Sequence, residues 1–147
     1  MRKIMLIFCL LVFVACSGNS SENNKAAAGS AQESSDIQLQ NISADSAYAM
    51  MQRNADNPNF VVLDVRTPGE FQSGHLANAI DIDFRASDFK QKVAELDKDK
   101  TYLIHCRSGN RSGQALPVLK ELGFKKIYHL NRGMIEWNER DLPVVTE

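Results

Sequence analysis

The stretch Thr101-Tyr-Leu-Ile-His105-Cys106-Arg-Ser-Gly-Asn-Arg111-Ser-Gly-Gln-Ala115-Leu116-Pro-Val-Leu119-Lys-Glu-Leu122-Gly123 decides the fold. Thr101 to His105 is a short, largely apolar run that suits a strand buried on both faces. Cys106 to Arg111 carries two arginines, a glycine and no large apolar residue, which is the composition of a loop. Ala115, Leu116, Leu119 and Leu122 then recur at helical spacing, and Gly123 suits a C-terminal stop. Strand, tight loop and helix follow one another with nothing to spare, and Lys126-Ile-Tyr-His-Leu130 supplies the next strand. Upstream, Phe60-Val-Val-Leu-Asp-Val65 reads as another buried strand and Ala79-Ile-Asp-Ile82 as a short one. Helices are expected at Ala44 to Arg53, capped by Ser43 with Ala47, Met50 and Met51 on one face, and at about Ser87 to Leu96 through Phe89, Val93 and Leu96. Asn57-Pro-Asn59 and Thr67-Pro-Gly69 read as turns, and Met134 to Arg140 as a closing helix around Trp137. Strands alternating with helices imply an α/β domain: a mostly parallel sheet of about five strands with helices on both faces.

The whole chain has 147 residues, enough for one domain with a real core. Its formal net charge of −1 gives no basic face for nucleic acid, so none is expected as a partner. At 44% hydrophobic and 24% charged it is no disordered polyanion. No internal repeat is visible. Residues 37–147 read as one folded unit, expected to act as a monomer.

The N-terminus reads differently. Met1-Arg-Lys3 is positive, and Ile4 to Ala15 is an uncharged apolar run, too short to span a bilayer but suited to a secretion signal. It ends in Phe13-Val-Ala-Cys16, which resembles a lipobox, the bacterial lipoprotein signal; Phe13 departs from the usual Leu. Residues 1–15 are therefore expected as a signal peptide and Cys16 as the lipidated first residue of the mature chain. Residues 16–36, with Ser, Asn, Ala, Gly, Gln and Glu in excess, lack the apolar surface to offset the entropy of ordering and read as a flexible tether. The domain is thus expected outside the cytoplasm, anchored by lipid to a periplasmic or cell-surface membrane face.

With Cys9 inside the signal and Cys16 at its cleavage point, Cys106 is the one thiol of the mature domain. An exported domain built on disulfides would show an even set. Ligands of open parallel sheets bind outside the carboxyl ends of the strands, where Cys106 falls. The N–H groups of the helix that follows favour an anion, so the thiol should ionise more readily than the ordinary value of about 8.5. Arg107 and Arg111 add positive charge, and Gly109 permits a turn in which successive N–H groups converge. Such a loop generates the nucleophile without a neighbouring general base. These parts suit sulfur transfer and phosphate-ester hydrolysis alike.

At this point the sequence resembles the rhodanese family. Cys106-Arg-Ser-Gly-Asn-Arg111 matches its active loop, Cys-x-x-Gly-x-Arg. Phosphatases of similar logic place five residues between Cys and Arg, and here that position is Ser112; the shorter cradle favours a single sulfur atom. Leu63-Asp-Val-Arg66 with Glu70-Phe-Gln-Ser-Gly-His-Leu-Ala-Asn-Ala-Ile80 looks like the family's first signature, and Leu130-Asn-Arg-Gly-Met-Ile-Glu-Trp137 like its last. The resemblance implies a rhodanese-like fold and a sulfurtransferase. Cys106 would take a sulfane sulfur from a small anionic donor such as thiosulfate as a persulfide, and pass it to cyanide, a small thiol or a protein thiol. Residues Arg107, Ser108, Gly109, Asn110 and Arg111 would bind the substrate, with Arg111 braced by a carboxylate. The alternatives are a non-catalytic or persulfide-carrying binding module and, behind it, a Cys-dependent phosphatase or arsenate reductase.

Two departures bear on the geometry. Arg132 stands where the family usually has Gly, so the turn there must form without positive φ at that residue or with some strain, and it adds a cation near the mouth. Pro117 lies inside the helix after the loop and should kink it or delay its regular start. Other polar residues carry weaker expectations. Asp64 ends a strand beside the loop, in a structural or supporting role, and Arg66 with Glu70 reads as a structural ion pair. His75 reads as a packed turn residue and His105, by alternation, as core on the face opposite Cys106. His129 has no evident partner. Three scattered histidines and one cysteine show no metal-ligand spacing, so neither metal nor cofactor is expected.

Overall fold

The computed structural model describes residues 37–146; the expected signal peptide, Cys16 and the expected tether lie outside them. In chain order the elements are β1 (Gln38–Ile42), α1 (Ala44–Arg53), β2 (Phe60–Asp64), α2 (Pro68–Gln72), β3 (Ala79–Asp81), α3 (Phe89–Ala94), β4 (Thr101–His105), α4 (Asn110–Glu121), β5 (Lys126–Leu130) and α5 (Gly133–Glu139). The five strands form one sheet in the order β1-β5-β4-β2-β3, and every pairing is parallel. A parallel sheet needs both faces covered, because its crossovers lay helices on both. Here two cores result. One joins Leu63, Val65, Tyr102, Ile104 and Ile127 to Phe89 and Val93 of α3 and to Ala115 and Leu119 of α4. The other joins Val62, Leu103 and Leu130 to Ala44 and Ala47 of α1 and to Met134 and Trp137 of α5. Adjacent strand residues enter opposite cores, as period-2 alternation requires.

Local chemistry sets the element ends. The Ser43 hydroxyl accepts the Ser46 N–H at 3.3 Å and starts α1. Thr67-Pro-Gly69, expected as a turn, is instead the opening of α2. The Thr67 hydroxyl accepts from the Glu70 N–H, the Glu70 carboxylate accepts from the Thr67 N–H, and Pro68 takes the first helical position, where its missing donor costs nothing. The strand β1, Gln-Leu-Gln-Asn-Ile, carries no buried run and was not legible; it is an edge strand held by its parallel pairing to β5, with only Ile42 buried. Pro117 does not delay α4, which begins at Asn110 and continues through it to Glu121. Trp137 fills the second core, with Tyr48 edge-on at 5.8 Å and its indole N–H donating to the Pro143 carbonyl at 3.0 Å.

Candidate active site

Cys106 follows directly on the central strand β4 and is 1% exposed. Two backbone segments fix the loop around it. The Val65 N–H donates to the His105 carbonyl at 3.0 Å, and the Met134 and Ile135 N–H groups at the start of α5 donate to the Cys106 and Arg107 carbonyls at 2.9 Å each. This close approach explains two glycines. Gly133 has φ 56°, and a Cβ there would lie 2.2 Å from the Cys106 carbonyl oxygen. Gly109, the residue capping α4, has φ 85°, and its Cβ would lie 1.7 Å from the Asn131 carbonyl oxygen. Neither position admits another residue without moving the loop. Arg132 itself keeps right-handed backbone at φ −105°, so the turn forms without strain at the substituted position, and Gly133 takes the positive φ.

The arginines divide by role. Arg111 turns to Glu70, with its two terminal nitrogens 2.6 and 2.7 Å from the two carboxylate oxygens. That bidentate pair, opposed by burial and aided by Thr67, holds the Glu70 carboxyl down at about 2. The expected Arg66–Glu70 pair is therefore corrected. Arg66 pairs instead with Asp64 at 2.6 Å, both buried, and also donates to the Gly74 carbonyl at 2.8 Å. A two-residue offset let Arg66 fold back on Asp64, which left Glu70 free for the loop. Asp64 lies on the face of Val62, as does His105, 3.7 Å from it; neither is brought to the thiol, which belongs to the opposite core. His105 is fully buried, its ring nitrogens make no hydrogen bond among the described residues, and burial pushes its pKa down. His75 packs on Phe71 with its Nδ1 3.0 Å from the Phe71 carbonyl. Arg107, Ser108 and Asn110 are exposed at the mouth. Arg132 is exposed too, but it pairs with Glu139 at 2.8 Å.

Burial raises the Cys106 pKa, but the Ser112 hydroxyl and the N–H groups of Ser112, Ser108 and Gly109 together outweigh it, so the net shift is downward. The backbone part of this was legible from the loop. The hydroxyl was not. Ser112 Oγ lies 3.4 Å from Cys106 Sγ and 2.9 Å from His129 Nε2, while His129 Nδ1 lies 3.0 Å from Asn41 Oδ1. His129 alternates with Tyr128 along β5 and so shares the α4 face with Ile127. That alternation is the signal that would have brought it toward the first turn of α4. Its second partner, Asn41, arrives on the strand that was not legible. No group of three or more His, Cys, Asp or Glu among the described residues is placed to hold a metal.

A buried thiol shifted toward its thiolate at a helix start, lined by amides and a braced guanidinium, can attack an electrophilic atom and hold the resulting anion. The rhodanese-like domain model matches residues 43–140. A sulfurtransferase of Allochromatium vinosum is 33% identical over 97 residues, covering 66% of this chain and 89% of that protein. A tRNA uridine(34) hydroxylase of Cytophaga hutchinsonii is 40% identical over 85 residues, which are 56% of this chain but only 27% of that much longer protein. Among solved structures, a rhodanese-related protein of Thermoplasma volcanium is similar at TM-score 0.60 and 35% identity, covering 74% of this chain and 99% of that one. The parallel five-stranded sheet, the loop at the end of its central strand and these likenesses agree: the chain belongs to the rhodanese-like domain family.

Proposed function

We propose that this chain is a sulfurtransferase that carries a sulfane sulfur on Cys106, with thiosulfate as a competent donor. In the first step the Cys106 thiolate attacks the outer sulfur of the donor. A new S–S bond forms, the donor's own S–S bond breaks, and sulfite leaves with its electron pair. In the second step a nucleophile such as cyanide or a thiolate attacks the terminal sulfur of the persulfide, and the Cys106 thiolate leaves. The observation that carries the reading is the thiol itself: 1% exposed, yet shifted toward the thiolate inside a loop that closes at Arg111 after only four intervening residues. A cradle that short receives one sulfur atom more readily than a tetrahedral phosphate. The N–H groups of Ser108, Gly109 and Ser112 would hold the anionic persulfide, exposed Arg107 would draw in the anionic donor, and Glu70 would keep Arg111 against the loop.

The test is thiocyanate release from thiosulfate and cyanide. The full chain should support it, and Cys106→Ala should abolish it. Activity surviving in that variant, or aryl-phosphate hydrolysis lost with Cys106 in place of sulfur transfer, would sink the proposal. Residues 1–16 add a location: the domain is tethered by lipid at Cys16 outside the cytoplasm. Metabolic labelling with a fatty acid should mark the wild type and spare Cys16→Ala; equal labelling of both would refute it.

A further inference from the structure

Ser112, His129 and Asn41 form a continuous hydrogen-bonded chain ending on Cys106 Sγ, and the geometry restricts where its protons can sit. Asn41 presents Oδ1, an acceptor, to His129 Nδ1 at 3.0 Å, so that nitrogen carries a hydrogen. In a neutral imidazole Nε2 is then bare and accepts from the Ser112 hydroxyl at 2.9 Å. Ser112 has a single hydrogen, and its other neighbours are Sγ at 3.4 Å and the Gly109 carbonyl at 3.2 Å, which only accepts. With that hydrogen on Nε2, the oxygen's lone pair faces the sulfur and receives the thiol S–H. The chain has one other fully paired arrangement, reached by moving every bridging proton one place. The thiol proton passes to Ser112 Oγ as the Ser112 proton passes to Nε2. Thiol plus imidazole become thiolate plus imidazolium, with no proton gained or lost by the site, and the Ser112 hydroxyl then donates to the thiolate.

We propose that His129, acting through the Ser112 hydroxyl and oriented by Asn41, stores the proton that Cys106 gives up, so that thiol and imidazole titrate as one coupled pair. The proposal rests on Cys106 being the nucleophile. It assigns Ser112 as the group touching the reacting sulfur, and His129 and Asn41 as positioning residues. Burial opposes charge on His129 and the Gly109 carbonyl favours it, so the ring is neutral while the thiol keeps its proton and takes up charge only together with the thiolate beside it. The surroundings suit a private pair. Against His129, β1 brings Asn41, β4 brings Ile104 in register, and α4 brings Ser112 and Gly113, all uncharged. The ionisable groups in line are the thiol and, beyond it, Arg111, on which the Cys106 charge acts.

The test is the pH dependence of Cys106 alkylation by iodoacetamide in the full chain, followed by mass spectrometry of the Cys106 peptide. His129→Gln keeps a hydrogen-bonding group near Nε2 but cannot store a proton, and Ser112→Ala removes the bridge. A hydrogen bond to a charged acceptor changes an equilibrium by about tenfold or more, so each variant should slow alkylation at pH 7 by about that factor and move the midpoint upward. An unchanged profile in His129→Gln would overturn the proposal. A second measurement covers the case in which that variant does not fold: the His129 ring titration by NMR in wild type and Cys106→Ser. The thiolate should raise the His129 midpoint in the wild type, and equal midpoints would refute the coupling. Neither readout uses a sulfur donor. A coupled titration without persulfide formation would remove the sulfurtransferase reading alone, and persulfide formation without coupling would remove the relay alone.

Discussion

Replacing Glu70 with Gln tests how the loop is held. The carboxylate faces Arg111 with both oxygens within 2.7 Å, and its pKa is lowered from 4.5 to about 2. At about 1.36 kcal/mol for each tenfold change in the equilibrium, that lowering places a ceiling of about 3 kcal/mol on the stability the charge contributes. The Glu70 side chain is 31% exposed, so solvent screening reduces this, and about 1 to 2 kcal/mol is the figure to expect. The sign follows from the direction of the shift. A carboxyl held below its unfolded pKa adds stability that is fully present above about 4.5 and is lost as pH falls toward 2. Urea unfolding at pH 7 should therefore show Glu70→Gln less stable than wild type by about 1 to 2 kcal/mol, and at pH 3 more than half of that gap should have closed. The thiol reads the same change: with Arg111 released, Cys106 alkylation at pH 7 should slow. A gap that is absent at pH 7, or that persists undiminished at pH 3, would refute the assignment of Glu70 as the brace.

Gly109→Ala should destabilise the domain by about 2 kcal/mol or more, from positive φ and the collision with Asn131, with slower Cys106 alkylation; urea unfolding and the alkylation rate check it. Asp64→Asn leaves Arg66 buried against a neutral amide and should cost about 3 to 5 kcal/mol in thermal or urea unfolding. Because Asp64 does not reach the thiol, the folded fraction of that variant should keep the wild-type alkylation rate. Burial, with Asp97 adding to it, pushes Tyr102 up to about 12, so an ultraviolet titration of the folded chain should show a tyrosine step near that pH, and Tyr102→Phe should remove it.

The parts of the fold that pack hydrophobically were legible because their pattern is local. β2, β4 and β5 are short apolar runs, and α1 and α4 repeat at helical spacing with a cap or a glycine at the boundary. β1 was not, since an edge strand of Gln and Asn is held by hydrogen bonds to β5 that composition does not encode. In the site, Cys106 and the amide-lined loop could be read from six consecutive residues, while a carboxylate brace for Arg111 followed only from the family resemblance. Which carboxylate served could not. Glu70 and Asp64 lie six residues apart, and their exchange of partners depends on Arg66 folding back beneath the sheet end. Ser112 and His129 meet only because the first turn of α4 packs over β5, a long-range contact 17 residues apart in the chain.

The most direct test of the central claim is the intact mass of the full chain before and after incubation with thiosulfate. The sulfurtransferase reading predicts a gain of one sulfur atom that cyanide removes and that Cys106→Ser never acquires. An unchanged mass with a free Cys106 thiol, or an equal gain in the Cys106→Ser variant, would contradict it.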